Sequence, residues 1–590
     1  MALAWAMWGP SPAFADSANH AIAMHGEPAL PADFKHFQYV NPDAPKGGRL
    51  IIGLLGSFDS LNPYVVRGEA VMGLRTYVYA PLMQRNQDEP FTLYPLIAEK
   101  IDVPDDRSSV TFYINPRAKF SDGHAVTVDD VIFSWELLKD KGWPNQRTHY
   151  AKVEKVERVG SNGVKFSFPN ANDRELPLIM ALLMVLPKHA IDPEKFDQAT
   201  LEKPIAAGPY VVTDMKVGTS LTLKRVQDWW GDNLPSNKGM YNFDEIRYEF
   251  YRDNNSLFEA FKKGLVDMRA EDDPAKWSRD YDFPAVKDGR VTLETIPTGM
   301  PRTLQTYVFN TRRDIFADVR VREALVTLFD FEWMNKNLFR GAYERTESLF
   351  HGSELAAFQK PASPLEKSYL QHANAKLAPE FLDGTWKLAA TDGTARDRTL
   401  LRAALNKFED AGWVHVNGKL VNRKTGQPFT FEVMANTRDE ERVLLSWKKT
   451  LDQAGIDMRI RQVDSAQAER RRQTYDFDMT KWNYISSLSP GNEQAIRWGS
   501  KTATQPGSVN LAGVKDPAVD ALLEKLVAAK TREELVSASR ALDRVLMAGY
   551  YMLPLYNIPA WHIAHWSRVK IPAKPALAGS MMETWWYTNP

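Results

Sequence analysis

Few side chains in this 590-residue chain stand at spacings that support covalent chemistry. Ser446-Trp-Lys-Lys449 spells the S-x-x-K of acyl-transfer enzymes, in which a lysine helps activate the hydroxyl. The pattern from Arg442 to Leu451 is that of an amphipathic helix, and the companion motifs of such enzymes are missing, so the match is one of spelling. His562 and His565 carry metal-ligand chemistry, but no third ligand stands near them in the sequence, and a packed or solvated pair is expected. Asp105-Asp106, Asp129-Asp130 and Asp272-Asp273 pair carboxylates as acid–base catalysts do, yet each falls in a turn or helix-cap pattern, where solvated acid is the default. The G-x-x-x-x-G-K-[ST] phosphate loop, the H-E-x-x-H zinc helix and the G-x-S-x-G elbow are all missing from the chain. The reading assigns no catalytic residue, no metal and no cofactor.

Composition narrows the classes further. Lys+Arg 74 against Asp+Glu 74 leaves no net charge, which excludes the broad basic surface of a nucleic-acid binder. Hydrophobic residues at 44% allow large cores, and no run of ~18 apolar residues is long enough to span a membrane. The absence of cysteine removes disulfides, thiolate metal sites and a lipidated cysteine anchor together. Trp 17, Tyr 21 and Phe 28 exceed what turns and surfaces use; most belong to cores, and a surplus suits a binding cleft. At the N-terminus, Ala2 to Trp8 is a short apolar run, and Ala13-Phe14-Ala15 has the small-x-small form of a signal-peptidase site. The expectation is export with cleavage after Ala15 and no anchor. No basic residue precedes the apolar run, and the true start is expected upstream of Met1.

The elements that must position a site alternate between strand and helix. Gly48 to Leu55 reads as a buried strand, and Ile246, Tyr248 and Phe250 alternate with Arg247 and Glu249. Leu221 and Leu223 repeat that alternation. Thr127 to Asp130 forms a capping box ahead of Val131, Trp135 and Leu138. Asp318 caps a helix with Val321, Leu325 and Leu328 on one face; Asp516-Pro517 opens another bearing Val519, Leu522 and Leu526; Thr531 to Glu534 is a further capping box. The class is α/β, with lobes joined by short crossings.

Several segments then appear in a recognisable order. Val78-Tyr-Ala-Pro-Leu-Met83, Pro95-Leu-Ile-Ala-Glu99, Val110-Thr-Phe-Tyr-Ile-Asn115, Ala118-Lys-Phe-Ser-Asp-Gly123 and Val126 to Ser134 come first. Ala207-Gly-Pro-Tyr210, Trp229-Trp-Gly231, Phe243-Asp-Glu-Ile246, Lys263 to Asp267 and Asp318 to Leu325 follow. Ala411-Gly-Trp413, Leu451 to Ile456, Tyr475-Asp-Phe-Asp478 and Pro554-Leu-Tyr556 complete the set, which covers about Gly47 to Trp566. Together they resemble the family 5 solute-binding proteins of bacterial ABC importers, the oligopeptide-binding group. Asn41 to Gly48, Phe58 to Pro63 and Ser487 to Gln494 are similar to its Yej-type branch, associated with uptake of peptides, microcin C and murein peptides.

That resemblance implies a two-lobed, type II periplasmic binding protein with an extra subdomain in lobe one and a cleft between the lobes. The implied boundaries are 1–15 signal peptide; 16–68, 204–300 and 556–590 lobe one; 69–203 extra subdomain; 301–555 lobe two. Closure is expected about crossings near Thr298 and Tyr556. Ligand-binding positions implied are Tyr64, Val65, Val66 and Arg67 on lobe one, and Lys481, Trp482, Asn483, Tyr484, Ser486 and Ser487 on lobe two, with Tyr556 as a cleft tyrosine. Oligopeptide binders of this kind carry an aspartate for the peptide ammonium where this chain has Ser487, and Glu493 is the nearest replacement acid. With Arg67 and Lys481 adding positive charge, the expected ligand is anionic and lacks a free α-amine at that spot, as a muropeptide does. The implied partners are a peptide or muropeptide and the inner-membrane permease subunits of a Gram-negative importer; the protein is expected to be a periplasmic monomer, not an enzyme. A periplasmic peptide or glycan hydrolase, and a sensor or chaperone on the same scaffold, are the competing readings.

Overall fold

The computed structural model describes residues 20–169 and 173–589; the segment read as an export signal lies outside the described residues. The chain divides into two compact units. One runs through Leu257 and takes back Glu583–Tyr587, and the other comprises Phe258–Met582 and the residues from Thr588 onward. Among the described residues, no helix is long and apolar enough to cross a membrane.

In the first unit, Arg49–Leu55 pairs in parallel with Glu245–Tyr251, setting Leu50 beside Ile246 and Ile52 beside Tyr248. These four side chains are almost fully buried, because period-two alternation sends them all to the same face. Ser220–Arg225 and Tyr210–Lys216 extend the sheet antiparallel, with Leu221 and Leu223 buried. A separate antiparallel sheet orders Ala98–Asp102, Ser109–Ile114, Gly163–Ser167 and Lys155–Val159. The helix Val128–Lys141 starts where the capping box predicts: Thr127 Oγ1 accepts from Asp130 N–H, while the Asp130 carboxylate accepts from Thr127 N–H at 2.9 Å.

In the second unit, the strands Asp457–Gln462, Thr430–Ala435, Met479–Tyr484, Leu304–Phe309 and Met552–Pro554 lie side by side in that order. Alternate side chains feed two cores, one on each face. Leu304, Val308, Met434, Tyr484 and Met552 join the helices Pro517–Ala528 and Arg532–Ala548. Tyr307, Phe309, Phe431, Val433, Met479 and Leu553 join Val319–Thr327, Arg398–Asp410 and Arg438–Gln453. The expected caps are present: Asp318 accepts from Arg320 N–H, Asp516 from Ala518 N–H and Thr531 from Glu534 N–H. Burying both faces of a sheet under helices is what keeps a mixed sheet of this kind out of water.

Candidate functional site

In the second unit, the expected lobe-two positions lie on and just after an ordered strand. Met479–Tyr484 pairs antiparallel with Leu304–Phe309, matching Thr306 to Trp482 and Val308 to Thr480. Asn310 N–H donates to Asp478 O, whereas Leu555 N–H donates to Gln305 O on the other side. Main-chain groups therefore alternate in direction along Leu304–Phe309, and the matched residues Thr480 and Trp482 spend theirs on that ladder. Lys481 and Asn483 turn theirs to the opposite edge. Thr430–Ala435 reaches that edge only at Met479, which faces Val433. Lys481 and Asn483 thus lie past the last described rung between these two strands.

Side chains sort the other way. Trp482 and Tyr484 face the core that holds Trp498. Tyr484 is 2% exposed, lies 4.7 Å from the Trp498 ring, and burial holds its phenol neutral by raising its pKa. Its hydroxyl has no hydrogen-bond partner. Trp482 is half-buried, with the Arg472 guanidinium 5.4 Å over its ring. Lys481 lies on the opposite face with an ammonium 3.4 Å from Glu440, whose other oxygen accepts from Asn436 N–H. The positive charge expected at Lys481 thus has an internal carboxylate partner in Glu440. Asn483 is exposed.

Tyr556 belongs to that same face, packed against the core that includes Met479. Its ring stands 4.6 Å from Phe339 and 4.7 Å from Tyr343. Burial raises the Tyr556 pKa, Tyr343 adds to the shift, and Arg442 opposes it. Tyr343 also senses Asp273 and Asp439. Glu440, Tyr343 and Arg442 are neighbours the sequence reading missed; nothing in their spacing ties them to Tyr556. Asp273 itself caps the helix Pro274–Asp280, as its turn context suggested.

In the first unit, the expected positions lie on a loop rather than a strand. From Tyr64 to Gly68 the chain is a run of turns and bends, tied down at both ends. Pro63 O accepts from Arg75 Nη2 at 2.6 Å and Trp143 Nε1 at 3.1 Å, and Tyr64 N–H donates to the Asn62 side chain. At the far end Glu69 N–H donates to Asp59 Oδ1 at 2.6 Å. Gly68 has φ +84°, and a Cβ there would stand 2.8 Å from Ser60 Cβ, so the turn requires glycine. Tyr64 and Val65 are buried, and the Tyr64 hydroxyl, like that of Tyr484, has no partner. Between the ties Val66 and Arg67 project outward, and Arg67 enters none of the described ion pairs.

Val66 at 58% and Ile485 at 71% exposure are large apolar side chains left in water beside the two segments, one in each unit. Ser486 is half-buried and Ser487 exposed, with Ser487 Oγ accepting from Ser489 N–H. Glu493 accepts from Gly491 N–H at 2.9 Å and from the Gln494 amide at 3.1 Å, so both oxygens serve its own loop. The S-x-x-K spelling falls on Arg438–Gln453, where Trp447 is fully buried. His562 stacks on Trp277 at 4.9 Å and His565 is buried in the same strand, a packed pair.

Residues 92–506 match the family described as bacterial extracellular solute-binding proteins, family 5. A binding protein of Brucella suis is 46% identical over 580 residues, covering 97% of this chain and 94% of that one. The peptidoglycan-binding protein YepA of Agrobacterium fabrum is 42% identical, covering 96% and 94%. Escherichia coli YejA is 36% identical, covering 96% and 93%. Among solved structures, the Bacillus subtilis oligopeptide-binding protein AppA with a nonapeptide has TM-score 0.63 at 19% identity, covering 93% of this chain and all of that one. The murein tripeptide-binding protein MppA has TM-score 0.64 at 17% identity, covering 93% and 98%. The Brucella and Agrobacterium relatives are named as binding proteins, and the solved structures share the type II binding-protein fold. The mixed sheets of both units, the ordered motifs and near-complete coverage agree: this chain belongs to the family 5 extracellular solute-binding proteins, in their Yej-type branch.

Proposed function

We propose that this protein is the soluble periplasmic receptor of an ABC importer and takes an anionic, peptide-like ligand, most simply a muropeptide. The observation behind the reading is the strand edge at Lys481 and Asn483, past the last rung matched with Thr430–Ala435, to which an extended ligand can add. Strand addition of this kind gives affinity that is blind to side-chain sequence, so the ligand's ends and charges set selectivity. Arg67 supports an anionic ligand, because a guanidinium without an internal partner can pair a carboxylate through two parallel hydrogen bonds. Ser487 in place of an acid supports a ligand without an α-ammonium at that point. The names of YepA and MppA add weight to murein fragments over plain peptides.

The binding set under this reading is the main chain of Tyr64, Val65, Lys481 and Asn483, the side chains of Val66, Arg67, Ser486 and Ser487, and Tyr556. Closure about the crossings near Thr298 and Tyr556 accompanies binding, and the mature protein is a monomer without a lipid anchor.

Native mass spectrometry of the purified protein, followed by identification of ligand released on denaturation, tests the reading. A co-purified muropeptide or a microcin C-type anionic peptide supports it; a plain peptide with a free amine on a protein that prefers such peptides overturns the anionic part. Incubation with peptides and muropeptides tests the receptor role itself, since steady turnover in place of stoichiometric binding indicates a hydrolase.

A further inference from the structure

In the first unit, away from the segments above, two imidazoles and a carboxylate converge from distant parts of the chain. Asp122 Oδ2 lies 2.6 Å from His189 Nε2 and 3.1 Å from His124 Nδ1, and the three ligand atoms all fall within 4.8 Å of one another. The two rings lie 4.1 Å apart. The side chains are 24%, 34% and 65% exposed for Asp122, His189 and His124, so an ion could reach them from solvent.

The supports beneath them are ordered. Asp122 and His124 sit on a tight turn in which Phe120 N–H donates to His124 O, Gly123 N–H donates to Phe120 O, and Lys119 bridges Ala125. Gly123, at φ +92°, allows that turn. Asp122 Oδ1 is spent on His124 N–H, which leaves Oδ2 directed at both rings. His189 comes from a loop that the helix Val128–Lys141 holds twice: Leu186 N–H donates to Ser134 Oγ at 2.7 Å and Lys188 N–H to Asp130 Oδ1 at 2.9 Å. Such outer contacts fix ring orientation in metal sites.

We infer that Asp122, His124 and His189 form a surface site for a late first-row divalent cation, with zinc as the reference ion. Two nitrogens and one carboxylate oxygen are a donor set that suits zinc, cobalt, nickel or copper and discriminates against magnesium and calcium. Metal–ligand bonds of about 2.0–2.1 Å in tetrahedral array place ligand atoms about 3.3 Å apart. The observed 2.6 and 3.1 Å need only modest side-chain shifts to open around an ion. Three protein ligands leave a fourth position for water. The bound ion clips the 120–125 turn to the 186–190 loop. This inference is independent of the ligand proposed above.

The test uses the untagged, full-length exported protein stripped with chelator, titrated with zinc by calorimetry and with cobalt by visible absorption. Expected is one equivalent bound with a four-coordinate cobalt spectrum, and a rise in thermal stability by mass action. His124→Ala and His189→Ala should each weaken binding at least ~10-fold, since even second-shell changes cost that much at metal sites. Both residues are exposed, so the apo variants should melt as the apo parent does, which separates loss of a ligand from loss of fold. Failure of the parent to bind zinc or cobalt overturns the inference. So does equal binding by the parent and the double variant His124→Ala/His189→Ala.

Discussion

The loop at Tyr64–Gly68 and the strand Met479–Tyr484 place their polar groups in opposite ways. In the loop the ends are tied, by Pro63 O to Arg75 and by Glu69 N–H to Asp59, and the cation Arg67 has no ion pair among the described residues. In the strand the cation Lys481 is paired with Glu440, and Lys481 and Asn483 lie past the last rung matched with Thr430–Ala435. Each segment anchors itself by a buried tyrosine, Tyr64 or Tyr484. Under the proposed reading, a ligand would meet charge at the loop and main chain at the strand. That division separates selectivity from affinity.

The largest expected effect breaks the anchors. Tyr484→Ala and Tyr64→Ala remove fully packed rings, so each should cost about 3–5 kcal/mol in its own unit, read as a lowered denaturant midpoint. If either variant unfolds like the parent, that ring is not an anchor.

Next comes charge. Arg67→Ala should weaken an anionic muropeptide at least ~30-fold, since losing one partner of a desolvated pair costs ~2–5 kcal/mol. Lys481→Ala should do much less, because Glu440 already balances that ammonium. Calorimetry that ranked the two the other way round would reverse the comparison.

The strand edge is tested by Asn483→Pro. The variant deletes an N–H outside the ladder to Leu304–Phe309, so stability should hold while ligand affinity falls about tenfold, the worth of one lost hydrogen bond. Affinity unchanged in a folded Asn483→Pro protein would remove that main-chain group from the site.

Ser487→Asp should improve binding of plain peptides with free N-termini by a few fold, the worth of a partly solvated ion pair of up to about 1 kcal/mol. Competition between a free and an N-acetylated peptide measures it, and equal gain for both would assign the effect to general charge.

The smallest change concerns the two lone hydroxyls. Tyr64→Phe and Tyr484→Phe should leave stability equal or slightly higher, because a buried hydroxyl without a partner is a cost. A loss of ligand affinity in either would instead make that hydroxyl a ligand contact.

What the amino-acid order determined by itself was local, and it was read on local grounds. Thr127 and Asp130, Asp318, Asp516, and Thr531 with Glu534 start helices because a side-chain oxygen reaches an orphan N–H two or three residues on. Leu221 with Leu223 and Ile246 with Tyr248 fall buried because a strand alternates its side chains. The family was legible too, since its turn and cap motifs keep their order along nearly the whole chain. Other features came only from the tertiary structure. That Lys481 has a carboxylate partner depended on Glu440, brought to it by the packing of Arg438–Gln453 on the sheet. Which residues of Met479–Tyr484 lie past the last matched rung depended on where Thr430–Ala435 stops pairing. Asp122 and His189 stand 67 positions apart, and only the anchoring of the 186–190 loop on the capped helix makes them neighbours. Capping and alternation are decided within a few residues, where the chain's own geometry leaves little choice. Charge pairing, edge exposure and ligand clustering are decided by which surfaces the cores bring together, and that is a property of the folded molecule.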